Sequence, residues 1–286
     1  MSTNRRDFLR NSALAAFGLS LPQVQQALAN GVEGKKPWRT FGIQLWTVRD
    51  VIGKDPKGVL AKLASYGYKQ IESFEGPQGM FWGMKHTEFK KYMDDLGMQM
   101  VASHCNHLEN FERKAAEAAE IGVKHLICPW KGAQKSIEQF KGFCDEFNKA
   151  GEICRKAGIR FAYHNHDYSF KELDGQIPQE VMMKGTDKNL VDFELDIYWA
   201  VAAGQDPKKW FMDYPGRIRL CHVKDRAKNE KGYESCILGK GSLDFADIFK
   251  TATKYGLETF IVEQEEYTGT TPLDAANLDA LYLKSL

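Results

Sequence analysis

The stretch FAYHNHDYSF, Phe161 to Phe170, sets two imidazoles, an amide and a carboxylate in a row behind an apolar run. His164, His166 and Asp167 can bind a cation or move a proton, and imidazole titrates close to neutrality. Three later runs end in a similar way. FELD carries Glu194 and Asp196, CHVKD carries His222 and Lys224, and VEQE carries Glu263 and Glu265. Each pair is spaced i, i+2, and alternate residues of an extended strand share a face. Four strand ends therefore each present two polar groups in one direction. Carboxylates and imidazoles gathered in this way are the donors of a divalent-metal centre, or the acid and base of a proton transfer.

Those groups need a scaffold that brings strand ends together. Eight short apolar runs read as strands, at 41–46, 68–74, 98–104, 123–130, 159–166, 191–199, 218–225 and 259–265. Amphipathic segments such as DPKGVLAKLASYG and DFADIFKTATKYG lie between them. Gly67, Gly97, Gly122, Gly158 and Gly256 stand one to three residues before the next strand, where a helix C-cap opening a short loop belongs. Strands alternating with helices over residues 30–286 predict an α/β fold, a single (β/α)₈ TIM barrel. A doubly wound open sheet is the rival, but no GxGxxG or GxxxxGKS follows the first strand. In such a barrel the chemistry sits at the C-terminal strand ends. The polar residues concentrate there: Gln44 and Trp46, then Glu72, then His104, and then the four pairs above. Phe161, Phe193, Leu195, Cys221 and Val223 take the alternate positions and face the helices.

With these motifs in order on strands five to eight, the chain from residue 30 onward resembles the xylose isomerase-like barrels. YHNHDYSF, LDIYW, HVKD and VEQE are similar to an often exported branch described as sugar phosphate isomerase/epimerase-like. The resemblance implies one divalent metal ion, Mn, Zn, Co or Mg, held by Glu, Asp, His and Glu from those four strands. Carried over, Asp196, His222 and Glu263 occupy the last three ligand positions. The first holds His164 where many relatives have Glu, with His166 as its competitor; the exchange lowers the negative charge and favours a borderline metal over magnesium. It also removes one of two glutamates that serve related epimerases as opposed acid and base. His166, Lys224 and Glu194 are then the catalytic candidates. Trp46, Glu72, His104 and Trp199 are the substrate-binding candidates by their strand-end placement. His125 and His86, within a strand and in a loop, read as ordinary structural histidines. LGKGSLDF reads as a loop that caps the next helix at Ser242 or Asp244 rather than a phosphate loop.

At the N-terminus, Arg5-Arg6 precede the weakly apolar NSALAAFGLSL and then Ala27-Leu28-Ala29. This order resembles a twin-arginine signal over residues 1–29, with periplasmic delivery by the Tat export machinery. Its apolar part is well short of the roughly 20 residues that span a bilayer, so no stable membrane insertion is expected. The leader carries Arg5, Arg6 and Arg10 against Asp7 in a chain of formal net charge +1, so residues 30–286 are close to neutral. Nucleic acid as a partner lacks its main source of affinity on such a chain. Six scattered cysteines form no CxxC pair and read as small buried hydrophobes. The expected partner is a small-molecule carbohydrate. The expected function is an exported divalent-metal-dependent sugar isomerase/epimerase that abstracts a proton next to a carbonyl. The alternatives are a lyase or dehydratase on keto-sugars or 3-keto-glycosides, and a non-catalytic carbohydrate-binding barrel.

Overall fold

Eight parallel strands close on themselves in the computed structural model, which describes residues 36–229 and 232–286. The leader over residues 1–29 lies outside the described residues. The strands are β1 (Gly42–Gln44), β2 (Gln70–Phe74), β3 (Gln99–His104), β4 (His125–Cys128), β5 (Arg160–His164), β6 (Val191–Asp196), β7 (Ile218–Val223) and, after a two-stranded excursion, β10 (Thr259–Val262). They follow chain order around the barrel, and β10 pairs with β1 to complete it. This is the (β/α)₈ barrel that the alternation predicts. Among the described residues no helix is long and apolar enough to cross a membrane.

The helices start and stop where local chemistry directs them. Asp55 accepts the Gly58 N–H and precedes Pro56 at the start of Pro56–Tyr66. Gly67 then ends that helix with φ of 102°, and Gly158 ends Ile137–Ala157 with φ of 83°, both in the left-handed region. Gly97, Gly122 and Gly256 also carry positive φ. Asp244, not Ser242, caps Phe245–Lys254 by accepting the Asp247 N–H.

Some expected boundaries shift. Strand six was expected to run to Trp199, but it stops at Asp196, whose side chain caps the helix Ile197–Ala202. His166 likewise lies beyond β5, at the entry to the turn Asp167–Phe170. His86, expected in a loop, opens the helix His86–Asp95, where Nε2 lies 2.9 Å from Glu120. A hairpin, β8 (Asp225–Asn229) with β9 (Gly232–Cys236), follows β7 with no counterpart in the expected strands.

The barrel interior is layered. Ala102, Ile127, Ala162, Leu220 and Ile261 form an apolar middle. On the N-terminal side, buried Asp192 binds His125 Nε2 at 3.0 Å and Arg160 through both carboxylate oxygens, which is the structural use expected of His125. On the C-terminal side lie Glu72, His104, His164, Glu194 and His222, all buried. Phe161 packs outward against Phe111 and Phe147, as the alternation requires.

A further buried carboxyl lies in the last helix. Asp279, in the helix Pro272–Ser285, accepts the Leu238 N–H at 2.8 Å through Oδ1, while Oδ2 has no partner. Burial pushes its carboxyl up to about 7 against that bond, with the charge on Asp225 adding to the rise. A folded value above the unfolded one, about 4, favours the fold at low pH and loses that benefit as pH climbs to about 7. Stability from urea midpoints is therefore expected to fall by ~2–4 kcal/mol across that window. Asp279→Asn keeps the acceptor for Leu238 and should flatten the slope; equal slopes in parent and variant would refute this origin.

Candidate metal centre and active site

Each motif that ends a strand divides its labour between scaffold and centre. In the β5 motif, His164 Nδ1 lies 3.1 Å from Glu194 Oε2. Asn165 turns the other way: Oδ1 accepts the Asp196 N–H at 3.1 Å, and Nδ2 donates to the Asp196 carbonyl at 3.4 Å. The amide thus fastens the end of β5 to the end of β6. His166 stands beside Trp130, Tyr168 and Trp199, and its Nδ1 is buried with no hydrogen-bond partner. Burial lowers that imidazole to about 4, so the ring is neutral at physiological pH. Asp167 instead pairs with Lys171 at the surface.

The β6, β7 and β10 motifs meet behind it. Asp196 uses Oδ1 to accept the Trp199 N–H at 2.8 Å and leaves buried Oδ2 without a hydrogen bond. That oxygen lies 3.7 Å from His222 Nδ1, and Glu263 Oε2 lies 3.2 Å from the same nitrogen. Asp196, His222 and Glu263 bring donor atoms within 4.8 Å of one another. Buried Lys224 sits against this trio, 3.1 Å from Glu263, 3.6 Å from Asp196 and 2.7 Å from Glu265. Burial disfavours its charge, but Glu263 and Asp196 outweigh that and raise the ammonium above its ordinary value. Lys224 does not pair with neighbouring Asp225; that carboxylate accepts backbone N–H groups from Arg226, Gly239, Gly241 and Leu243 at 2.7 to 3.2 Å.

A second donor set lies deeper. Glu194 Oε2 lies 2.9 Å from His104 Nε2, 3.1 Å from His164 Nδ1 and 3.3 Å from His222 Nε2. Glu72 Oε1 lies 2.7 Å from His222 Nε2 and 3.1 Å from His104 Nε2, and accepts from Gln44 Nε2 at 2.6 Å. Burial works against charge on His104, but Glu72 and Glu194 outweigh it and raise that ring to about 9. Burial, joined by the charge on Glu72, pushes the Glu194 carboxyl upward. His164 falls in this deeper group with His104, Glu194 and His222, rather than in the trio.

A cavity of about 690 Å³, within the size range of small-molecule sites, opens onto Glu263 of the trio, with Asp196 and His222 behind its lining. His104, His164, His166, Glu263 and Glu265 line its floor, and Trp46 and Trp130 stand at its mouth, 41% and 57% exposed. Of the substrate-binding candidates, Trp46 and His104 reach the cavity, whereas Glu72 and Trp199 are not among its lining residues. Trp199 lies beneath His166 with Lys224 5.1 Å from its ring. Trp130 escaped the sequence reading, and Asn165 stood in its opening cluster without its fastening role. The available signals were a tryptophan directly after Pro129 at the end of β4, and an amide between two histidines.

The donors fit a divalent cation. Asp196 Oδ2 is a buried carboxylate oxygen that accepts no hydrogen bond, with the Lys224 ammonium no nearer than 3.6 Å, so it retains its lone pairs for a ligated cation. It faces an imidazole nitrogen and a second carboxylate, the oxygen and nitrogen donors that zinc, cobalt and manganese accept.

Fold and site together define a parallel barrel with a buried histidine–carboxylate centre at the C-terminal ends of its strands. The chain belongs to the xylose isomerase-like TIM barrel family, whose model matches residues 60–286. A crystal structure of a sugar phosphate isomerase/epimerase from Parabacteroides distasonis is 31% identical, with a TM-score of 0.75, over 86% of this chain and 93% of that one. An inosose dehydratase from Geobacillus kaustophilus is 24% identical over 237 residues, 76% of this chain and 73% of the relative. Other inosose dehydratases are matched over about half their length. An IolI protein holding a zinc atom is 14% identical with a TM-score of 0.68, over 86% of this chain and 96% of that one; this likeness concerns the fold. The chain is an enzyme of this superfamily.

Proposed function

We propose that this chain is an exported, divalent-metal-dependent enzyme that removes the proton next to a carbonyl of a sugar or keto-sugar, as an isomerase or epimerase. The observation that carries the reading is the juxtaposition, under one cavity, of the Asp196–His222–Glu263 donor trio and an imidazole, His166, whose Nδ1 no protein group engages. Asp196 Oδ2, His222 Nδ1 and Glu263 would hold the ion, with His164 as the fourth candidate ligand on the cavity floor. When bound, such an ion polarises a carbonyl and stabilises negative charge on its oxygen. His166, a neutral ring on the cavity floor, takes the substrate proton. Lys224, fixed among three carboxylates, offsets their repulsion and keeps Glu263 and Glu265 in place. Trp46 and Trp130 supply apolar faces for a sugar ring at the mouth.

A dehydratase is the second reading. His166 is a single uncommitted imidazole, and elimination, like 1,2-isomerisation, needs a base on one face only, whereas two-base epimerisation needs two. The inosose dehydratase relatives support the same alternative.

The metal-loaded enzyme incubated in D₂O with an inosose and a panel of ketoses and 3-keto-glycosides tests both. Deuterium is expected at the carbon beside the carbonyl. His166→Asn should keep the metal and slow exchange by ~10²-fold or more. Turnover with neither solvent exchange nor a carbon isotope effect points to hydride transfer or hydrolysis and removes the proposal. Water loss from the exchanged substrate distinguishes dehydratase from isomerase.

Export to the periplasm rests on Arg5-Arg6 and the sequence that follows. Arg5→Lys combined with Arg6→Lys is expected to leave the uncleaved chain in the cytoplasm, as fractionation would show; normal delivery of the double variant contradicts the twin-arginine route.

A further inference from the structure

Two donor sets meet on one ring. His222 turns Nδ1 toward Glu263 at 3.2 Å and Asp196 at 3.7 Å, and Nε2 toward Glu72 at 2.7 Å and Glu194 at 3.3 Å. Both sets are compact enough to surround a cation. A neutral imidazole has one lone pair and one N–H, so His222 can act as ligand to one set only. We propose that Glu72 makes that choice, as a positioning residue that accepts His222 Nε2–H and so presents the Nδ1 lone pair to the upper trio. This inference rests on the metal-centre reading above and adds which nitrogen binds, and why.

Three observations carry it. Glu72 makes the shortest of the polar contacts to His222, and it is fully buried without lining the cavity, so a substrate does not compete for it. Its orientation is fixed from behind. Gln44, its register neighbour on β1, donates to the same Oε1 at 2.6 Å, while Gln44 Oε1 accepts the Trp46 N–H at 3.0 Å. That second bond determines which end of the amide is the donor. Finally, the carboxylate oxygens of the deeper set that face His222, Glu72 Oε1 and Glu194 Oε2, already engage Gln44, His104 and His164 and leave only their second oxygens unpartnered, whereas Asp196 Oδ2, the oxygen that faces His222 in the upper trio, accepts no hydrogen bond. Carboxylate–histidine–metal relays of this kind fix the tautomer and ring orientation of a ligand histidine.

The decisive measurement is made on the purified full chain loaded with zinc and labelled with ¹⁵N-histidine. Two-bond ¹H–¹⁵N correlation reads the tautomer, and the signals of His222 are those missing from His222→Gln. Zinc at Nδ1 with a proton on Nε2 is expected. Zinc at Nε2, or a proton retained on Nδ1, overturns the proposal. Glu72→Ala should weaken cobalt binding ~10–100-fold in chelator competition and alter the visible cobalt spectrum. Glu72→Gln, whose carbonyl can still accept Nε2–H, should lose less. A folded Glu72→Ala with parental cobalt affinity and spectrum also overturns the proposal, and if that variant does not fold, the tautomer in the parent decides. A parent that binds neither zinc nor cobalt rejects the metal centre itself, and is recognised because no histidine signal moves on adding metal.

Discussion

His222→Ala is expected to lose bound metal ~100-fold or more in affinity and to retain almost no activity, while remaining folded. The magnitude follows from position. His222 supplies the nitrogen of the donor trio, and even outer residues that only orient such ligands are worth ~10–100-fold. The fold should survive because the apolar middle layer and the helix-facing residues are untouched. Asp196→Ala should lose metal to a similar degree and also lose the cap on the helix Ile197–Ala202, worth ~1 kcal/mol of stability. Elemental analysis of both variants beside the parent, with thermal melts in chelator, separates the two effects. Full metal occupancy in both variants would end the assignment.

The second large effect is expected at the opposite end of the barrel. Asp192 is buried and binds His125 and the Arg160 guanidinium, so Asp192→Ala strands two basic groups without their carboxylate. Removing one partner of a buried pair costs ~3–5 kcal/mol, and the half-open position of Arg160 moves the expectation to ~2–4 kcal/mol. Guanidinium titration measures it. Cobalt affinity of the folded variant should stay within ~3-fold of the parent, because the apolar middle layer separates this cluster from the donor trio. A variant as stable as the parent would show that the cluster contributes nothing net.

The sequence carried the barrel because its signals were local. Apolar runs, Asp and Gly caps and short loops each act over a few residues, and strand order then follows from closure. It carried the faces of the site residues for the same reason, since alternation along a strand requires only the strand. Depth was not local. Glu72, Glu194 and His104 look like mouth residues in the sequence, but only His104 reaches the cavity, because strand tilt and register set how far down each strand end lies. Trp199 left its expected strand because Asp196 turns to cap a helix, a choice that competes with continued pairing. The hairpin β8–β9 was hidden by its composition. DRAKN and GYESC lack the apolar alternation by which a half-buried strand is recognised.

Asp225 gives that hairpin a particular status. By gathering four backbone N–H groups, from Arg226 on one side and Gly239, Gly241 and Leu243 on the other, it ties the chain leaving the hairpin back to its point of departure. A methyl group on Gly241 would strike that carboxylate at 2.2 Å, so the knot tolerates no side chain there. The hairpin is also fastened to the barrel: Ser235 Oγ accepts the Glu265 and Glu266 N–H groups at 3.0 and 3.1 Å, and Arg226 donates to the Val201 carbonyl at 3.1 Å. The hairpin is thus a brace: through Ser235 it holds the segment that carries Glu265, the carboxylate that engages Lys224 beside the donor trio.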